Sequence, residues 1–248
     1  MHDIMTAGRF RLVTTDTREE AALEAARAIR DHMETTDAPV LGLATGRTMI
    51  PVYERLVAWH RDDGLSFSRA TSFNLDEYCG LAATHPSSFA SYMRAHLFDH
   101  VDMRPDRWFL PDPVRFATDE TAYDSLIRAH GGISLQLLGL GRNGHIGFNE
   151  PGAEATSRTH TVTLTASTRK ANAADFPAGE TVPEQAVTMG IATILEARRI
   201  VLVATGSGKA EAVRAVIHGP VTAQCPGSFL QRHDHVTIIC DREAAALI

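Results

Sequence analysis

The chain has 248 residues, 44% of them hydrophobic and 22% charged, with a formal net charge of -6. That is ordinary globular usage, in a chain long enough to bury a sizeable core without staples. The acidic balance without a Lys/Arg-rich cluster argues against nucleic acid as a partner, no apolar run reaches the ~18 residues of a membrane span, and three scattered cysteines build neither a disulfide framework nor a zinc site. Met1 to Gly8 lacks the charged-then-apolar pattern of a secretory signal, so the expected setting is a reducing cytoplasm.

The elements alternate along the chain. Arg9 to Thr14 reads as a strand, and Asp16 or Thr17 can cap a helix to about Glu34 whose apolar face carries Ala21, Leu23, Ala26 and Ile29. Val40 to Leu43 is a short buried strand, followed by the turn Ala44 to Thr48 and a helix to about Arg61. Ala70 to Asn74 is a strand, Ser87 to Phe98 a helix, Trp108 to Leu110 a strand, Thr118 to Ala129 a helix and Ile133 to Leu138 a buried strand. A looser stretch from Glu150 to Pro183 holds one strand (Thr159 to Leu164) and one short helix (Thr168 to Phe176), a pattern that suits a lid. Gly190 to Glu196 is helical, Ile200 to Ala204 a strand, Lys209 to His218 a helix and Val236 to Cys240 a last strand. The expected fold is α/β: one open, mainly parallel, Rossmann-like sheet over residues 1–248, with helices on both faces and a mobile lid at about 152–182. Right-handed crossovers put the carboxyl ends of all its strands on one edge.

Chemistry concentrates on that edge. Gly139-Leu-Gly-Arg-Asn-Gly-His-Ile-Gly-Phe-Asn-Glu-Pro151 follows a buried strand and gathers His145, Asn143, Asn149 and Glu150 in a glycine-rich turn, the acid, base and amide groups that proton transfer needs. Asn74-Leu-Asp-Glu-Tyr78 places Asp76 and Glu77 just past another strand, pointing to opposite sides of extended backbone. Asp76 suits a general base; a turn aspartate bonding local backbone is the competing reading. Two strand-to-helix loops, Ala44 to Thr48 and Ala204 to Lys209, read as anion cradles built of backbone N–H groups, hydroxyls and a positive helix end, with Arg47 and Lys209 adding charge. Neither fits the GxxxxGK[ST] nucleotide loop. Arg169, at the start of the lid helix, is either a solvated arginine or a guanidinium that reaches phosphate as the lid closes. His233 and His235 lack a third ligand nearby, so no metal is expected, and Cys79 reads as a passive thiol.

Taken together, Leu41-Gly-Leu-Ala-Thr-Gly46, Asn74 to Tyr78, His85-Pro-Ser87, Gly139 to Pro151, Ser157-Arg-Thr159, Thr168-Arg-Lys-Ala-Asn172, Thr188-Met-Gly190 and Lys209 make the chain resemble the glucosamine-6-phosphate deaminases, in their short Bacillus-type form. The resemblance runs from about Val40 to Arg242. It implies an enzyme that converts glucosamine 6-phosphate and water to fructose 6-phosphate and ammonia with no cofactor. In that scheme His145 opens the sugar ring, Glu150 and Asn143 orient its imidazole, and Asp76 takes the C2 proton and returns one to C1. Thr45, Gly46, Arg47, Thr48, Arg169 and Lys209 hold the phosphate. The implied partner is a small aminosugar phosphate, handled by a monomer or small homo-oligomer, with neither nucleic acid nor membrane involved.

The chain departs from the family pattern in places. Asn143 stands where many members carry Asp, Arg47 where a small residue is usual, and Met49-Ile50 where the helix start typically holds Pro. Ala153, His160 and Val162 occupy the places of the Ser and Arg-x-Lys that mark the branch activated by N-acetylglucosamine 6-phosphate, so no such activation is expected. The competing functions are deamination of the galacto epimer, 6-phosphogluconolactone hydrolysis on the same fold, and a catalytically silent sugar-phosphate sensor.

Overall fold

In a computed structural model the chain is described over residues 3–7, as strand backbone, and over residues 9–248. Met1, His2 and Gly8, part of the stretch read for a signal pattern, lie outside the described residues.

The strands, in chain order, are β1 (Asp3–Ala7), β2 (Phe10–Thr15), β3 (Val40–Leu43), β4 (Thr71–Asn74), β5 (Asp76–Tyr78), β6 (Trp108–Phe109), β7 (Leu135–Gly139), β8 (His160–Thr163), β9 (Gln185–Thr188), β10 (Ile200–Ala204) and β11 (Val236–Asp241). The helices are α1 (Arg18–Thr35), α2 (Ile50–Asp63), α3 (Phe89–His96), α4 (Pro113–Phe116), α5 (Ala122–Ala129), α6 (Ala166–Asn172), α7 (Ile191–Leu195) and α8 (Ala210–His218). Short 3-10 turns cover Ala173–Asp175, Ser207–Lys209 and Pro226–Arg232, among others.

Eight strands form the main sheet in the order β1-β2-β11-β10-β7-β3-β4-β6, parallel throughout except for the β1–β2 hairpin at one edge. The central strands β3 and β10 are buried at every residue, as their unbroken apolar runs require when both faces are covered. The open, mainly parallel fold expected from the alternation is the one observed. Thr17 caps α1, as read from the sequence, by accepting the N–H of Glu20 at 3.1 Å. The alanine face of that helix, with Ile29 and Met33, packs into the core.

Connections run outward from β3 to β4 and β6, then return to β7 and run the other way through β10 to β11. The carboxyl ends of β3 and β7, adjacent strands whose connections diverge, therefore mark the topological switch point where open α/β sheets bind ligands.

A second sheet departs from the sequence reading. β5, β9 and β8 pair antiparallel in that order, with Asp76 opposite Thr188. The three-residue β5 carries no local strand signal of its own, because only pairing with β9, far away in sequence, defines it. Its Tyr78 joins Phe148, Leu164, Phe176, Val182 and Ala186 in a small apolar cluster beneath the segment read as a lid. The helix read from Thr118 to Ala129 starts later, at Ala122, and a short helix absent from the sequence reading precedes it: Asp112 caps α4 through the N–H groups of Val114 and Arg115.

Candidate active site

A cavity of about 1090 Å³ opens at the switch point. Loops following β3, β4, β7 and β10 line it, together with one side of α3 and part of α6. Asp76 and His145 both line this one cavity, as do Asn143, Thr45, Gly46, Arg47, Thr48 and Lys209.

Two glycines bring the acid and the imidazole close. At Gly141 an added Cβ would lie 2.4 Å from His145 Nδ1, so the ring rests directly on bare backbone. Gly147 has a φ of +55°, which strains any other residue, and a Cβ there would sit 3.4 Å from Asp76 Oδ2 and 3.0 Å from Thr188 Oγ1. The glycine spacing of the turn thus seats His145 on one side and leaves room for Asp76 on the other.

Glu150 stands behind the histidine. Its Oε1 lies 3.4 Å from His145 Nδ1, an electrostatic contact rather than a well-formed hydrogen bond. Asn143 bridges the pair: its Nδ2 donates to Glu150 Oε2 at 2.6 Å, and its Oδ1 accepts the His145 backbone N–H at 3.3 Å. Thr168, from α6, donates its hydroxyl to Glu150 Oε1. Burial opposes ionisation of Glu150, but the contacts from His145, Thr168 and Asn143 outweigh it and hold the carboxyl at about 2. Asn143 therefore holds Glu150 beside the imidazole, and Glu150 supplies the negative charge that an amide at position 143 lacks. Asn149 turns inward and ties the loop to its surroundings, donating to the carbonyls of Ile146 and Met189.

Asp76 is almost fully buried, and among the described residues no donor reaches its carboxylate. Desolvation first, and then the charge of Glu77, push it up to about 8. Glu77 points to the other side of β5, as the pleat demands, and accepts the N–H groups of Tyr78, Phe89 and Ala90 at 2.8, 3.0 and 2.9 Å. Two of those belong to the first turn of α3, so Glu77 fastens a wall of the cavity to the strand that carries Asp76.

A pH signature follows from this arrangement. A carboxylate acting as a base must be ionised, so with Asp76 in that role kcat/KM is expected to rise about tenfold per pH unit below a midpoint near 8. In Glu77→Gln, where the neighbouring negative charge is gone, that midpoint should move down. A pH–rate profile checks this; an unmoved midpoint in a variant with wild-type Tm would exclude Glu77 as a tuner of Asp76.

The first anion cradle has the expected form. α2 carries no side-chain cap, so its positive amino end and the Thr45–Thr48 turn face the cavity unobstructed. The second does not. The amide of Gly206 donates to both oxygens of Asp241 at 3.0 and 2.9 Å, and that of Ser207 donates to Glu243 at 3.2 Å. Only Lys209 reaches the cavity from this loop, with its Nζ 2.6 Å from the Leu140 carbonyl. Burial, then the charge of Arg142, lower its pKa.

Two cations sit differently from their sequence reading. Arg47 lies on the rim, where its Nη2 meets Asp175 at 2.8 Å, joining the cradle to the end of the α6 segment. Arg169 is not among the lining residues; its Nη1 lies 3.5 Å from Glu184 and its buried Nε has no partner among the described residues. The reason is helical geometry: with Thr168 facing Glu150, the next residue is turned away by about 100°. The segment read as a lid is seated on the site in this structure, through Thr168 on Glu150, Asn172 Nδ2 on Tyr78 Oη at 2.9 Å, and Phe176 edge-on to Tyr78.

Residues 14–239 match the family of glucosamine-6-phosphate isomerases/6-phosphogluconolactonase. The chain belongs to this family. It is 52% identical over 232 residues to the glucosamine-6-phosphate deaminase of Rhodopirellula baltica, covering 93% of this chain and 92% of that protein. To glucosamine-6-phosphate deaminase 1 of Bacillus subtilis it is 45% identical over 242 residues, covering 96% and 99%. Among solved structures, a monomeric glucosamine-6-phosphate deaminase superposes with a TM-score of 0.92 at 44% identity, over 96% of this chain and 99% of that one. The 6-phosphogluconolactonase of Trypanosoma brucei reaches a TM-score of 0.73 at 20% identity over 98% and 99%, a likeness of fold alone.

Sequence reasoning missed Thr168 and Arg142 as site residues. Thr168 stands in a motif of the resemblance without a role, because its partner Glu150 is brought to it only by the tertiary fold. Arg142 lies in the glycine-rich turn beside Asn143, but a charged turn residue is usually solvated, and its place on the cavity wall shows only in the structure.

Proposed function

We infer that this chain deaminates and isomerises glucosamine 6-phosphate, with water, to fructose 6-phosphate and ammonia. The observation that carries the reading is the shared cavity: a buried carboxylate and a histidine backed by Glu150 face one space, closed at one end by an uncapped helix terminus and Lys209. The relatives that cover nearly the whole chain support the choice of substrate.

The phosphate sits on Thr45, Gly46 and Thr48 with Lys209, and this anchorage sets C1 and C2 against Asp76. Arg47 and Arg169 join only by leaving Asp175 and Glu184. His145 moves a proton between the ring oxygen and the C1 hydroxyl and opens the pyranose; Glu150 and Asn143 hold its imidazole. The exposed C1 carbonyl acidifies C2–H. Asp76 removes that proton, the C1–C2 enolamine forms, and a proton returned to C1 leaves an imine at C2. Water adds to the imine carbon and ammonia departs, so atoms balance without a redox partner. The substrate's ammonium, placed beside Asp76, favours the ionised carboxylate that the free cavity disfavours.

The enzyme works as a monomer in a reducing, cytoplasmic setting. The monomeric relative supports the first statement, and the free thiols of Cys79, Cys225 and Cys240 support the second. Among the described residues no helix is long and apolar enough to cross a membrane.

The test is a parallel assay on glucosamine 6-phosphate, galactosamine 6-phosphate and 6-phosphogluconolactone. Ammonia and fructose 6-phosphate in equal amounts from the gluco compound are expected. Preference for the galacto epimer would reassign the substrate, and lactone hydrolysis without ammonia would overturn the reaction.

A further inference from the structure

Three cations surround the Gly206–Lys209 loop. The Arg18 guanidinium is compensated, 3.7 Å from Asp241 and 3.3 Å from Glu243. Lys209 and Arg142 are not: among the described residues neither has an acid partner, and both line the active-site cavity. The Arg142 guanidinium is laid along the loop, with its Nε 3.3 Å and its Nη2 3.7 Å from where a Cβ on Gly208 would stand. Its charge is close enough to disfavour the protonated form of Lys209. Arg142 is exposed and Lys209 half-buried, so water screens their repulsion in part, and an anion between the two like charges neutralises both.

The backbone of the same loop does not supply this function, because Asp241 and Glu243 already take its amides. The uncapped amino end of α2, which follows β3 on the other side of β7 in the sheet, lines the same cavity. The other two candidate arginines are occupied, Arg47 by Asp175 and Arg169 by Glu184.

We propose that Arg142, paired with Lys209, is a phosphate-binding residue of this enzyme, gripping the substrate's 6-phosphate together with the α2 terminus. The assignment rests on the aminosugar-phosphate reading for the identity of the ligand, though not for its charge. A guanidinium presents two N–H groups in a plane that matches two phosphate oxygens, whereas the neighbouring ammonium acts as a point charge. Arg142 thereby adds direction to the hold that Lys209 gives, and fixes which way the sugar carbon chain leaves the phosphate.

The test compares wild type with Arg142→Ala and Arg142→Lys in two measurements. In the first, inorganic phosphate is titrated by calorimetry. Its affinity should fall about tenfold in Arg142→Ala and by less in Arg142→Lys, since charge without the fork restores part of the contact. In the second, steady-state ammonia release from glucosamine 6-phosphate should show KM raised about tenfold, with kcat changed by less than about twofold, because the contact is uniform binding remote from the reacting carbons. Equal phosphate affinity in wild type and Arg142→Ala would overturn the proposal, and so would an unchanged KM. Failure of wild type to release ammonia would sink the functional reading instead, and the phosphate titration would still decide Arg142.

Discussion

Replacing Asp76 with asparagine is expected to lower kcat by about a thousandfold, within the range that a positioned general base contributes. The amide keeps the shape of the carboxylate but cannot take a proton from C2. Solvent deuterium should therefore no longer enter C2 of unreacted glucosamine 6-phosphate, while the affinity for inorganic phosphate stays within about twofold of wild type, because the phosphate contacts lie on other loops. Deuterium entry at the wild-type rate would remove Asp76 from its assigned role. The same variant should gain stability at alkaline pH. The folded-state pKa of Asp76, about 8, lies above its value in the unfolded chain, so the folded state binds the extra proton between those values and stability falls as pH rises through them. Asparagine does not titrate, so its Tm should exceed that of wild type by about 2 °C or more above pH 8.

Replacing His145 with glutamine is expected to cost about a hundredfold in kcat/KM, and in a different way. If ring opening is the step that His145 serves, its loss makes that step rate-limiting and masks the chemistry at C2. The deuterium isotope effect measured with C2-deuterated substrate should then fall to near unity. Glu150→Gln should show a weaker version of the same behaviour, because the imidazole remains but loses its charged support. A His145→Gln enzyme within about threefold of wild type would show that the pyranose opens without help from this residue.

The fold was largely legible because its signals are local. Val40 to Leu43 and Ile200 to Ala204 are apolar runs of strand length bounded by turn residues, and both are strands at those bounds. The cavity residues could be read for a related reason: Asn143 and His145 lie in the turn past β7 and Asp76 lies two residues past the end of β4, and a parallel sheet delivers the carboxyl ends of its strands to one edge. What stayed hidden depends on partners far away in the chain. β5 exists through β9, and the Gly206 and Ser207 amides look like a phosphate cradle until Asp241 and Glu243 are seen to occupy them. Thr168 and Arg169 are neighbours in sequence, and the sequence gives no means of telling which of them faces Glu150. Arg142 has the same difficulty: a charged residue in a turn is usually solvated, and only its place on the cavity wall beside Lys209 marks it.

The central claim is that one anchored phosphate places the sugar so that His145 meets the ring oxygen and Asp76 meets C2. A crystal structure with the open-chain reduced substrate, the 2-amino-2-deoxy hexitol 6-phosphate, tests it most directly. The account predicts the phosphate on Thr45 to Thr48 and Lys209, with C2 about 3–3.5 Å from an Asp76 oxygen. A phosphate bound elsewhere in the cavity, or a C2 atom more than ~6 Å from that carboxylate, would contradict it.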